Sequence, residues 1–240
     1  MCNACDSTPL RLSRRHLMVG ASVSLAAAAW SPRSAHAADE PPQNAIGPDA
    51  ALERLMQGNA RYAANEREQR DCQGRRAGLV AAQFPIAAIL SCSDSRVAPE
   101  LAFDQGQGDI FVVRLAGNFV SDDGLASLEY AVKFLGVPLL MVLGHSNCGA
   151  VAAAIKVVKE RAELPGHLPE LIHSIEPAVI AAHARHPSDL LSAAIEENVK
   201  VNVKRLQDDA PILSEALAAK KIAAVGGIYD LKTGKVSLLS

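Results

Sequence analysis

The chain has 240 residues, of which 49% are apolar, 21% charged and 4% aromatic, a mixture typical of folded globular proteins rather than disordered or collagen-like ones. Its 24 lysines and arginines nearly balance 26 aspartates and glutamates, so a formal charge of −2 gives no global basic field for non-specific nucleic-acid binding. Five cysteines are too few for a disulfide-dense scaffold and too irregularly spaced for paired zinc knuckles, so each is read on its own.

At the N-terminus, Ser13-Arg14-Arg15-His16-Leu17-Met18 sets a twin arginine ahead of an uncharged stretch, Val19 to Trp30, and Ala35-His36-Ala37 follows as an A-x-A cleavage site. Residues 1–37 therefore read as an export signal that resembles the twin-arginine (Tat) type, whose pathway carries folded proteins, and the mature protein is expected to be periplasmic or secreted. The uncharged stretch spans 12 residues rich in Ala, Ser and Gly, against the ~20 mostly apolar residues a bilayer-spanning helix needs. A permanent membrane anchor is not expected. Cleavage would leave 203 residues with 20 basic against 25 acidic side chains, a charge of −5, no tryptophan, and the cysteines Cys72, Cys92 and Cys148.

Residues 38–48 form a Pro-rich arm without periodicity, and 49–240 read as one domain. Asp49 is placed to cap a helix carrying Leu52, Leu55, Met56 and Tyr62 at three- and four-residue spacings. Residues 65–76 are polar and charge-rich, and read as a solvated connection. Short apolar runs that suit buried strands follow at Ile86–Leu90, Ile110–Leu115, Leu139–Leu143 and Ile222–Val225. Helical patterns alternate with them at Leu125–Leu135, Ala150–Arg161, Leu168–His183 and Leu190–Gln207. That alternation predicts an α/β fold with a central, mostly parallel sheet flanked by helices. The polar stretch Asp230-Leu231-Lys232-Thr233-Gly234 lies between extended runs and predicts a C-terminal hairpin.

Two predicted strands end in reactive side chains. Ile86 to Leu90 runs into Ser91-Cys92-Ser93-Asp94-Ser95-Arg96, and Leu139 to Leu143 into Gly144-His145-Ser146-Asn147-Cys148-Gly149. Ligands bind at the carboxyl ends of strands in open α/β sheets. If the two strands are neighbours, Cys92, His145 and Cys148 converge as a Cys₂His set with an open fourth position, the arrangement of a catalytic zinc. A Cys92–Cys148 disulfide is the competing reading for an exported protein, but it gives no role to His145, Asp94 or Arg96. The remaining mature histidines, His167, His173, His183 and His186, read as exposed polar residues. Asn118, Ser121, Asp122 and Asp123 read as the cap of the Leu125 helix, and Cys72 as a surface thiol.

C-S-D-S-R after one apolar strand, G-H-S-N-C-G after another, and the intervening Phe103-Asp104-Gln105-Gly106-Gln107-Gly108-Asp109-Ile110-Phe111-Val112-Val113-Arg114 closely resemble the β-class carbonic anhydrases, over about Leu52 to Tyr229. The resemblance implies one Zn²⁺ per subunit on Cys92, His145 and Cys148, a catalytic dyad of Asp94 and Arg96, and Gln105 as a substrate-lining candidate. It further implies CO₂ and bicarbonate as substrate and product, and a homodimer or larger homo-oligomer. Zinc lowers the pKa of bound water and so supplies hydroxide to attack CO₂ near neutral pH. Asp94 would orient that water, with Arg96 keeping the carboxylate off the metal. Rival readings are a zinc hydrolase of carbonyl sulfide or carbon disulfide, a non-catalytic zinc-binding module, and a thiol-disulfide redox protein.

Overall fold

The strands Ala87–Ser91 (β1) and Leu139–His145 (β3) are buried along their whole length, which is why they read as continuous apolar runs instead of alternating ones. In the computed structural model, which describes residues 43–208 and 211–239, they form the middle of a five-stranded sheet of order β2-β1-β3-β4-β5. Ile110–Arg114 (β2) pairs parallel with β1, and Ala223–Tyr229 (β4) pairs parallel with β3. Only Val236–Leu239 (β5) is antiparallel, closing the predicted hairpin against β4. Asp230 holds its turn by accepting from the Thr233 amide and hydroxyl, both at 2.7 Å. The proposed export signal and residues 38–42 of the arm lie outside the described residues. No helix among the described residues is long and apolar enough to cross a membrane.

Helices cover both faces. On one, Pro48–Ala63 (α1) buries Ala51 and Leu55 against Ile89, Met141 and Phe103. Gly58 of α1 lies so close to the turn after the short helix Pro99–Ala102 (α3) that a Cβ there would sit 1.9 Å from the Phe103 carbonyl oxygen. On the other face, Asp122–Leu135 (α4), Leu190–Asp208 (α8) and Ile212–Ala218 (α9) pack Leu128, Val199, Leu206 and Leu213 on Ala88, Leu90, Leu140 and Val142. Odd and even positions of β1 and β3 thus feed different cores, as strand geometry requires. A third cluster joins Gly149–Glu160 (α5), Leu168–His173 (α6), Glu176–Ala184 (α7) and α8 around Cys92 and Cys148.

Four expectations are corrected in detail. Gly47, not Asp49, is the N-cap of α1; Pro48 takes the first position, and Asp49 lies in the first turn, where its charge suits the positive helix end. The helix expected over Leu168–His183 is two helices, because Pro177 has no N–H to donate to the His173 carbonyl and α7 restarts around it. Residues 65–76 are not merely solvated: Cys72–Gly78 (α2) forms there, capped by the Asp71 carboxylate, and the arginines before it reach inward to a buried aspartate. Ser121 alone supplies the side-chain cap of α4, accepting from the Gly124 N–H, while Asn118 is buried in a left-handed conformation before it.

Candidate metal centre

β1 and β3 are adjacent, with Ser91 paired to Leu143, so Cys92 and His145 leave the same carboxyl rim of the sheet. Cys148 follows on a tight turn through Asn147 (φ 56°) and is the N-cap of α5, where the helix amides favour a thiolate. The sulfur atoms of Cys92 and Cys148 lie 4.0 Å apart, and these two and a His145 ring nitrogen all fall within 4.8 Å of one another. At that separation the sulfurs are free thiols, not a disulfide. No other group of His, Cys, Asp and Glu among the described residues has metal-binding spacing.

His145 is wholly buried. Its Nδ1 donates to the Ser146 carbonyl at 2.9 Å, which leaves Nε2 as a bare acceptor, and Nε2 has no hydrogen-bond partner despite its burial. An orphaned ring nitrogen facing two sulfurs fits a divalent cation, and an S₂N donor set suits zinc. Ser146 is itself fixed by β4 and the hairpin, its N–H donating to the Tyr229 carbonyl and its hydroxyl accepting from the Leu231 N–H, both at 2.9 Å.

The sulfurs do not titrate alike. The Cys148 thiol donates to Cys92 and pulls its partner's pKa well down, with His145 and the Gly117 N–H at 3.2 Å adding to the effect. Cys148 is pushed up by the Cys92 sulfur beside it and by burial. Burial works against a charged His145, but the negative charge of the neighbouring Cys92 and the bond to the Ser146 carbonyl outweigh it and the net shift is upward.

Asp94 sits beside this set, one carboxylate oxygen 3.9 Å from His145 Nε2. Arg96 grips it with a two-pronged guanidinium, Nε and NH2 at 2.9 and 2.7 Å, and adds its backbone N–H at 2.9 Å. These bonds hold the Asp94 carboxyl far below the usual carboxylate range, so it is ionised at any physiological pH. Gln105 lies elsewhere. It is buried, donates to the Phe103 carbonyl at 2.7 Å and faces Gly58 of α1; no hydrogen bond among the described residues links it to the five residues above. All four other described histidines are exposed, and Cys72 is an exposed thiol at the start of α2.

Sequence reasoning missed the braces of the site. Arg114, last residue of β2, donates to the carbonyls of Cys92, Asp94 and Val97 at 3.0, 2.7 and 2.8 Å and so shapes the whole C-S-D-S-R loop. Asn198 and Asn202 of α8 are buried; Asn198 donates to the Gly117 carbonyl and Asn202 accepts from the Val120 N–H. They hold the loop whose Gly117 N–H meets the Cys92 sulfur. Gly117 has φ 86° and a Cβ there would lie 2.4 Å from Ile175, so only glycine fits. One available signal was polar residues at the buried spacing of α8.

Fold and site together define an α/β enzyme with a candidate Cys₂His centre on the carboxyl rim of its sheet. The sequence family described as carbonic anhydrase matches residues 87–236. Carbonic anhydrase 2 of Mycobacterium tuberculosis is 39% identical over 193 residues, covering 80% of this chain and 92% of that protein. The structure of the Coccomyxa β-carbonic anhydrase in complex with acetazolamide superposes with a TM-score of 0.61 at 27% identity, over 78% of this chain and 86% of the other. The β-carbonic anhydrase CafA of Aspergillus fumigatus gives a TM-score of 0.63 at 26% identity, over 80% and 90%. This chain belongs to the β-class carbonic anhydrase family.

Proposed function

We propose that this carbonic anhydrase catalyses the reversible hydration of CO₂ to bicarbonate and a proton with one zinc ion held by Cys92, His145 and Cys148. The observation that carries the reading is the buried, unpartnered His145 Nε2 facing two sulfurs 4.0 Å apart. When bound, zinc supplies the Lewis acidity that makes water nucleophilic near neutral pH. The chain's own residues do the rest. Asp94 accepts a hydrogen bond from the reacting water and aims its lone pair at the carbon of CO₂; a carboxylate held so far below neutrality is an orienting acceptor, not the proton's destination. Arg96 fixes the orientation of Asp94 with its two-pronged grip, and the proton leaves to solvent.

Metal analysis and stopped-flow CO₂ hydration on one preparation test this. The expected result is one zinc per chain, with hydration lost on chelation and restored by zinc; metal-independent turnover would refute it.

The twin arginine, the uncharged stretch and the A-x-A site support export of residues 38–240 after cleavage of a Tat-type signal, with the arm at 38–48 and the catalytic domain at 49–240. Tat export also suits the centre, because a metal bound in the reducing cytoplasm shields both sulfurs before they meet an oxidising compartment. Replacing Arg14 and Arg15 by lysine should abolish mature protein in the periplasm, and a Sec-directed fusion should arrive with less zinc. Equal accumulation of zinc-loaded enzyme by either route would contradict the export reading.

A further inference from the structure

Away from the metal centre, α1, the 66–75 segment and the turn between α3 and β2 are stitched together by charge. Asp104 is wholly buried and accepts from Arg61 and Arg70 at 2.8 and 2.7 Å, with Arg67 3.7 Å away. Asp109, also buried, accepts from Arg75 and from the Gly106 N–H, with Arg54 at 3.5 Å. A cavity of about 360 Å³ opens among these segments, lined by Arg54, Arg61, Arg70 and Arg75 against the carboxylates Glu68 and Asp109. None of the metal-centre residues lines it. Four guanidiniums against two carboxylates leave it doubly positive, and Arg67 and Asp104 behind it cancel.

The carboxylates orient the arginines without exhausting them. Arg54 makes no hydrogen bond among the described residues, only its 3.5 Å ion pair, and 40% of its side chain is exposed. Arg61 and Arg75 bond through Nε and NH2 and leave NH1 unused. Arginine forks fixed in place lose little further freedom on taking an oxyanion.

We propose that this cradle binds a small, doubly charged oxyanion of the phosphate or sulfate kind, and that the ligand clamps α1, the 66–75 segment and the 103–109 turn together. The same chemistry is offered by an inorganic ion and by the phosphate of a monoester. The inference is independent of the zinc reading.

Holoenzyme melted in inorganic phosphate, sulfate or glycerol phosphate, each against sodium chloride at equal ionic strength, should gain about 5–10 °C at a hundredfold excess over Kd. Titration calorimetry should give one site per chain, and tighter binding of glycerol phosphate than of the inorganic ions would identify a monoester as the source. Arg54→Gln should weaken binding at least tenfold while CO₂ hydration is unchanged. Arg185→Gln, at an arginine paired with Glu197 on α8, is the control and should bind as the parent does. Equal stabilisation by chloride, no saturable heat, or undiminished binding by Arg54→Gln would overturn the proposal. The last result would put any anion elsewhere, including at the metal centre, and leave the proposed catalytic reading untouched.

Discussion

Asp94 owes its orientation to a side chain two positions along, and that dependence can be measured. Arg96→Ala removes both prongs and frees the carboxylate to turn toward the sulfurs, so CO₂ hydration should fall on the order of a hundredfold or more with the fold intact. Full turnover in that variant, read by stopped flow beside a circular dichroism spectrum, would remove Arg96 from the mechanism. Two thiolate donors cancel the formal charge of a dication, unlike three imidazoles, so coordinated water should be less acidic and activity should climb from pH 6 to pH 9. A flat profile would contradict it. Asp104 is a second residue to test at this scale. Burial raises its pKa, but its bonds to Arg70 and Arg61 and the Glu68 N–H prevail and bring it down to about 2 from 3.8. Its folded pKa lies below its unfolded value, so its contribution is complete above pH 5 and drains away between about pH 4 and pH 2. Asp104→Asn should therefore cost about 3 kcal/mol in urea unfolding at pH 7 and progressively less as the pH falls through that window.

Among the elements, α8 does more than cover the sheet. Its Asn202 accepts from Val120, donates to the Asn198 carbonyl at 2.7 Å, and so reaches the Gly117 loop that bonds the Cys92 sulfur. Asn202→Ala leaves a buried N–H unpaired and should cost about 2 kcal/mol in stability, with weaker zinc retention in chelator competition. Unchanged zinc retention would confine Asn202 to a folding role. The elements also differ in how plainly the chain announces them. β1 and β3 were legible because a parallel strand buried on both faces must be apolar throughout, and Cys92, Asp94, Arg96, His145 and Cys148 because each motif sits directly on a strand end. The 66–75 segment was not, since its arginines look like solvated charge until Asp104, more than thirty residues away in sequence, is seen beneath them. Arg114, Asn198 and Asn202 were hidden for the same reason: their partners are distant in the chain. The short α3 and α9 span too few turns to show a period.

At the scale of the whole molecule, β2 is an edge strand among the described residues, and aromatic rings lie beside it. The rings of Phe111, Tyr130 and Phe134 follow one another at centroid distances of 6.5 and 5.3 Å, tilted by 36° and 35°, and Phe134 is 73% exposed. An open edge with exposed aromatics is a surface that proteins cover. If the chain forms the homo-oligomer its resemblance implies, Phe134→Asp should shift it toward monomer in analytical ultracentrifugation; an unaltered assembly would place the contact elsewhere. The sulfur pair carries a consequence beyond catalysis. Two thiolates and one imidazole form a soft cage, and soft donors grip cadmium and mercury more firmly than the borderline ion they evolved to hold. If the anhydrase is exported as proposed, it would meet such ions beyond the cell's glutathione, and the donor set that would hold its zinc would also expose it to heavy-metal poisoning.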